Sequence, residues 1–451
     1  MSFLDNSIRS FILLGIFLYS IFFVYWENSF SYYNVLNAFT FVCYAFILLI
    51  CANRKESFYN SRRLCLIVFV YSIIFVGLYL MMSDYYMGNT FLFSEVDAKV
   101  YEKHSFSLLN LPFHRWIHYL QGQSLGFDDW GTPMTQAMIF HIIPHKLFLN
   151  FVYVLFNTIG AVLLFKIGQV FMNEKYSFIA ALSYTIASYL IFGMGSFTKE
   201  PIMVFIVIVS FYYLYVYWEH RKVRYLFMGI FFSILLLFFR VPVSLFLWAS
   251  YGMLLVLGNN NRIKAALFVL IGFVVVVLAL GIIIDNFNRY ANGGEITQSY
   301  IYQTYSKFQK VVLYISSLIG PFPQLFEDIK PLSSKTIYGS GLLLKFLVVC
   351  PFWLGFVYSV RTKKKIMYPI FTFCILEMVS LGIVLDSLEF RKGLPHVPFL
   401  ILAAFWYMSE YDEDADDEVI ATPYYKRVKS IFGIWCIVVL IITITWNTLR
   451  T

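Results

Sequence analysis

Residues 84–146 read DYYMGNTFLFSEVDAKVYEKHSFSLLNLPFHRWIHYLQGQSLGFDDWGTPMTQAMIFHIIPHK. This is the first long stretch of the chain that cannot cross a membrane. Three apolar segments precede it and about ten follow, each close to the roughly 20 residues a bilayer-crossing helix needs. The stretch carries the acids Glu95, Asp97, Asp128 and Asp129. Carboxylates held at a membrane surface, over a bundle of helices, are a natural place for chemistry.

Working outward, the candidate spans are 8–26, 35–52, 64–83, 147–171, 176–194, 199–218, 225–240, 241–258, 264–284, 341–360, 366–385, 394–409 and 429–448, about thirteen in all. Only Arg240, Val241 and Pro242 separate the seventh from the eighth, and the proline and the charge favour a break there. The first apolar run lacks a small-residue cleavage site, so Ile8–Trp26 reads as a retained span. The fold class is therefore an all-α polytopic membrane protein.

Composition agrees. Of 451 residues 60% are hydrophobic and only 13% charged, against about a quarter charged in soluble domains. Too few polar side chains remain to cover a water-facing surface. Aromatics make up 20%, which suits interfacial belts. The net charge of +8 does not point to nucleic acid, because the basic residues gather in short loops between spans. Arg54, Lys55, Arg62 and Arg63, then Arg221, Lys222 and Arg224, then Arg262 and Lys264, then Arg361 and Lys363 to Lys365, then Lys426, Arg427 and Lys429 all fall on one side if spans alternate. By the positive-inside rule that side is cytoplasmic, as is the N-terminus. Residues 84–146 and 285–340 are then outside. The opposite short loops hold only Lys199, Arg240, Arg391 and Lys392, which topology does not explain and which become functional candidates.

The chain divides into two N-terminal spans (1–63), a core with the outer loop 84–146 (64–284), a second outer loop (285–340) and C-terminal spans with an acidic cytoplasmic loop at 410–428 (341–451). Apolar residues interleaved with charges and histidines in the first loop predict short interfacial helices. The acidic run Glu410 to Glu418 reads as a solvated, mobile linker. The six cysteines lie in or beside apolar segments and read as packing residues.

Glu95 and Asp97 lie just past the third span, at headgroup height. They share a face only if the backbone is extended. Asp128-Asp129 before Trp130-Gly131 is a second acidic pair that also reads as a turn or helix cap. His104, His114, His118, His141 and His145 crowd the same loop without a metal-ligand motif, so no metal ligands are assigned and a divalent cation is left open. Lys199-Glu200-Pro201 opens a span. Glu200 and Pro201 suit a helix start, whereas Lys199 opposes the dipole and reads as kept for an anion. Arg240 needs a counter-charge in its apolar setting. Arg391 and Lys392 precede a helix N-terminus, a setting that binds phosphate. For Lys199 and Arg240 the plain alternative is snorkelling to the interface.

Taken together, these pieces resemble the multi-spanning glycosyltransferases of the C-type fold. EVDAKVYEKHS (95–105) resembles that family's opening acid followed four residues on by tyrosine, here Asp97 and Tyr101. SFTKEPIMVFIVIVSFYYLYVYW (196–218) resembles its Lys-Glu span opening, and FRKGLPHVPFLILAA (390–404) its arginine segment with two prolines. The resemblance covers roughly residues 64–409. Gly393 stands where members often have a second arginine, Glu95 and Asp97 are split where the family's acids are often adjacent, and two spans precede the usual first one. The resemblance implies a polyprenyl-(di)phosphate-linked sugar donor and a glycan or lipid acceptor at the outer face of the inner membrane, in envelope or capsular polysaccharide assembly. Asp97 would be the general base and Glu95 its helper. Lys199, Glu200, Arg240, Arg391, Lys392, Tyr101, Asp128 and Asp129 would line the substrate site. A repeat-unit polymerase is the alternative, disfavoured because 285–340 holds only Arg289. A flippase for lipid-linked sugars is another, which predicts charges along a path inside the bundle, where Lys345 and Glu377 are among few such residues.

Overall fold

A computed structural model of the chain describes residues 2–25, 32–88, 95–123, 125–258, 307–326, 339–383, 390–416 and 423–448. Every regular element among them is helical. The predicted span 264–284 and most of the second outer loop lie outside the described residues.

Eight helices are long and apolar enough to cross a bilayer. They are α1 (Phe3–Tyr25), α2 (Tyr32–Ala52), α3 (Ser61–Met87), α7 (Lys146–Gly168), α10 (Glu200–His220), α14 (Gly339–Thr362), α15 (Tyr368–Ile383) and α17 (Pro423–Thr448). A ninth would be the pair α8 (Glu174–Thr185) and α9 (Ser188–Gly195), bent by 46° at the break. The expected count of about thirteen is therefore not reached among the described residues. The stretches 225–240 and 241–258 form two shorter apolar helices, α11 (Val223–Leu235, extended by a 3₁₀ turn to Phe238) and α12 (Val241–Gly258). At 1.5 Å per residue α11 falls short of the roughly 30 Å hydrocarbon core. The stretch 394–409 belongs to α16 (Val397–Asp416), whose first three turns are buried at the centre of the bundle, while its far end is acidic.

Helix α16 is the hub. It packs on α14, α8, α15 and α1, while α10 packs on α7 and α11, and α12 on α15. Contacts at the two ends of the bundle join segments that the alternating span order assigns to the same side. At one end Lys175 meets Asp5 at 3.6 Å, Lys364 meets Glu410 at 2.9 Å, and Tyr215 Oη donates to the Ile366 carbonyl at 2.9 Å. At the other end Lys199 meets Asp129, Arg240 meets Lys392, and Asn447 donates to the Pro323 carbonyl.

One loop expectation changes. The first half of the acidic run is not a solvated linker. Glu410 to Asp416 continue α16, and Asp412 accepts from the Phe3 backbone N–H at 2.7 Å and from Tyr176 Oη. A carboxylate at the positive end of α1 satisfies a helix N-terminal donor that would otherwise be orphaned. Asp412→Ala should cost about 1–3 kcal/mol by stranding these donors. A detergent thermal-unfolding midpoint equal to that of wild type would show that the clamp contributes nothing. In the second outer loop, α13 (Lys307–Ile319) leads to Gly320–Phe326, which are packed into the bundle end rather than solvated. Asn447 binds this turn through the Pro323 carbonyl and the Leu325 N–H, and Asn37 donates to the Leu325 carbonyl.

The stretch 84–146 folds into α4 (Glu95–Leu109), α5 (Trp116–Gln121) and α6 (Gly131–Phe140), joined by 3₁₀ turns at Phe113–Arg115 and Phe127–Asp129. Leu108, Trp116, Leu120, Trp130 and Ala137 form a small core of their own. Phe113, Ile117 and Ile142 stay exposed. The cap is tied to the bundle by Lys146–Glu102 at 3.0 Å and by Phe127 against Phe238 at 4.9 Å. A Cβ on Gly131 would lie 2.6 Å from the Phe239 ring, so only glycine allows this approach beside Arg240.

Candidate functional site at the capped end of the bundle

Three groups of polar residues meet at or below the cap. The first is centred on Asp129. Its Oδ1 accepts from Tyr101 Oη at 2.9 Å and from Lys199 Nζ at 2.5 Å. The three residues come from α4, the turn before α6, and the cap position of α10. Lys199 opposes its helix dipole, and the structure gives the reason for its presence: its ammonium is paired with Asp129. The Tyr101 hydroxyl is held far above its usual range, first by burial and then by the charges of Asp129, Glu200 and Asp97. It is a neutral donor at any working pH.

Backbone strain supports this arrangement. Phe197 has φ of 57°, an unusual conformation for an aromatic residue, and it is buried. Gln136 holds it, donating from Nε2 to the Phe197 carbonyl at 3.0 Å, while Gln136 Oε1 accepts from Ser105 Oγ at 2.9 Å. Ser105 is one turn from Tyr101, so a single buried amide ties α4 and α6 to the loop that presents Lys199.

Asp97 and Glu95 both lie in the first turn of α4, so the extended backbone that would align them does not form. Asp97 is half-buried one turn before Tyr101. The Glu95 side chain lies outside the described residues. Asp128 is buried beside Asp129, and Glu200 is buried in the first turn of α10.

The second group is cationic. Arg240, at the break between α11 and α12, donates from Nη1 to the Lys392 carbonyl at 2.6 Å. Lys392 lies in the 3₁₀ turn Phe390–His396 that feeds α16. This brings Arg240 and Lys392 together across 152 residues of sequence. The Arg391 side chain lies outside the described residues.

The third group was only partly legible. Lys345 on α14, Glu377 on α15 and His396 before α16 are 2%, 2% and 1% exposed. His396 Nδ1 lies 3.6 Å from Glu377 Oε2, and Lys345 Nζ donates to the Gly320 carbonyl. Arg240 and Lys345 are the cations whose charges reach Glu377. Among the described residues, neither Glu377 oxygen nor either His396 ring nitrogen has a hydrogen-bond partner. Groups buried this way cost several kcal/mol, so their retention points to use. The sequence signal was the ionisable residue inside an apolar segment; His396 within LPHVPFL carried no separate signal.

The loop histidines do not converge. His104 Nδ1 is 3.2 Å from Tyr119 Oη and its imidazole is lowered in pKa by burial, then by Lys103. His145 caps α7 by accepting from the Leu147 N–H, while His114, His118 and His141 are exposed. Among the described residues no three His, Cys, Asp or Glu side chains come together as metal ligands.

Chemically, the capped end offers a half-buried carboxylate, a neutral phenol donor, an ion pair that holds its shape, and a guanidinium held on the Lys392 carbonyl near a helix start. No protein-family model matches the chain, and no curated protein sequence matches it.

Proposed function

We propose that the chain is a membrane glycosyltransferase that takes a sugar from a polyprenyl-(di)phosphate donor at the outer face of the inner membrane. In this reading the N-terminus is cytoplasmic, the chain crosses about thirteen times, and the cap lies outside. The acceptor is a glycan or lipid hydroxyl of the cell envelope.

The observation that carries the reading is the convergence at one end of the bundle of Asp97, Tyr101, Asp129 and Lys199 with the Arg240–Lys392 pair. Asp97 takes the proton of the acceptor hydroxyl as its oxygen attacks the anomeric carbon. The bond from that carbon to the phosphate oxygen breaks, and its electron pair leaves on the lipid phosphate. The configuration inverts. The leaving phosphate needs cations rather than an acid, and Arg240 and Lys392, with Arg391, supply them. Lys199 is paired with Asp129, so its role shifts from phosphate ligand to positioning of Asp129 and Tyr101.

The test is release of polyprenyl phosphate by protein reconstituted in proteoliposomes, using a panel of radiolabelled polyprenyl-phosphate sugars with and without chelator. The chelator arm decides whether a divalent cation takes part. No release above that of protein-free liposomes for any donor would sink the transferase reading.

One observation favours a second reading, a flippase for lipid-linked sugars. Lys345, Glu377 and His396 extend the polar groups from Arg240 into the interior of the bundle, where a transport path would run. Movement of a fluorescent polyprenyl-phosphate sugar between leaflets, with no cleavage, would establish it in place of the transferase.

A further inference from the structure

An apolar groove of about 570 Å³ lies between α2 and α3. Phe46, Ile47 and Ile50 of α2 and Leu66, Val70 and Ile74 of α3 line it. The two helices are neighbours in sequence but pack in different directions, α2 on α1, α8 and α14, and α3 on α7, α8 and α9. Toward the cap, contacts between α2 and α3 continue past the groove. There Thr40 Oγ1 and Tyr79 Oη lie 3.1 Å apart, and the Phe39 and Phe75 rings stack at 6.1 Å.

The other end is cationic. Phe58 lines the groove, and the guanidinium carbons of Arg54 and Arg63 lie 5.8 Å and 5.1 Å from its ring centroid. Arg63 Nη1 also donates to the Ser57 carbonyl at 2.9 Å, so this cation is held over the mouth. Lys55 and Arg62 are exposed in the same turn, against the single acid Glu56. The N-terminus of α3 opens here as well, with Asn60 Oδ1 accepting from the Arg63 N–H. Its positive end adds to the side-chain charge.

A hydrocarbon slot that ends under fixed arginines is complementary to an amphiphile with an anionic head. We propose that it binds one acyl chain of an anionic phospholipid, with the lipid phosphate on Arg54 and Arg63. The source is a phospholipid rather than the sugar donor, because the 27 residues of α3 separate this mouth from the cap by about 40 Å. The donor's phosphate belongs at the cap, in the opposite leaflet. The choice of a phospholipid over the sugar donor rests on the proposed function, whereas the groove and its arginines do not.

Native mass spectrometry of the full-length protein in detergent tests the proposal, with dioleoyl-phosphatidylglycerol and dioleoyl-phosphatidylcholine as probes. One phosphatidylglycerol adduct should survive activation that strips phosphatidylcholine. Arg54→Ala with Arg63→Ala should lower that adduct about thirtyfold, taking each basic contact at the magnitude found near anionic membranes. Val70→Trp, which fills the slot and keeps both arginines, should lower it as well, so the test survives if the double variant fails to fold. Equal retention of the two lipids, adducts undiminished in Val70→Trp, or displacement of phosphatidylglycerol by polyprenyl phosphate at equimolar concentration would each overturn it.

Discussion

Asp97→Asn is expected to lower donor turnover by about 10²–10⁴-fold, the range for loss of a general base, with little change in KM for the donor. Asparagine keeps the size and polarity of the side chain but cannot take the acceptor's proton. The Tyr101–Asp129–Lys199 group, one turn along α4 and across the cap, stays assembled. A kcat loss with an unchanged KM is therefore the signature of lost chemistry rather than a collapsed site. Asp129→Asn is the informative comparison. It removes the counter-charge of a half-buried lysine and weakens the bond from Tyr101, so it should disturb the cap itself. Its loss should appear in stability and KM as well as in kcat. Full activity in Asp97→Asn combined with loss in Asp129→Asn would transfer the base role to Asp129, with Lys199 as its modulator.

The helical membrane architecture was legible because hydropathy acts over windows as long as a span. Even the least certain pair of segments proved to be two helices, broken at the residues that Pro242 and Arg240 mark. The break between α8 and α9 was not legible, since Thr185 to Ser188 contain neither proline nor glycine. The site was legible as residue types and not as pairs. Lys199 was conspicuous for opposing its helix dipole, but its partner Asp129 lies 70 residues away and only the folded cap brings them together. Arg240 needed a partner in its apolar setting, and the structure supplies the Lys392 carbonyl, a backbone group with no side-chain signature. Local reading misled most in the acidic run. Repulsion among like charges argued for a loose linker, yet Asp412, Glu410 and Glu413 each find donors on other segments of the chain.

Arg240→Ala should reduce kcat/KM for the donor by about 10²–10³-fold, comparable to removal of one donor from a preorganised anion site. The guanidinium lies half-buried and is aimed by its bond to the Lys392 carbonyl, so it requires little reorganisation when negative charge builds on the leaving phosphate. Arg240→Lys should recover only part of the loss. Lysine keeps the charge but cannot span the Lys392 carbonyl and a phosphate oxygen at once. Glu377→Gln then separates the two functional readings, because Glu377 is buried inside the bundle within reach of the Arg240 charge. If the chain is a transferase, the reacting bond lies at the cap, and a neutral glutamine of the same shape leaves donor cleavage close to wild type. If the chain is a flippase, the head group passes Glu377 and His396, and the same substitution stops lipid movement. Cleavage lost in Arg240→Ala but kept in Glu377→Gln assigns the outer cation to chemistry and the buried acid to the support of the bundle. Lipid movement lost in both, with no cleavage in wild type, makes the three buried groups a transport path that begins at Arg240.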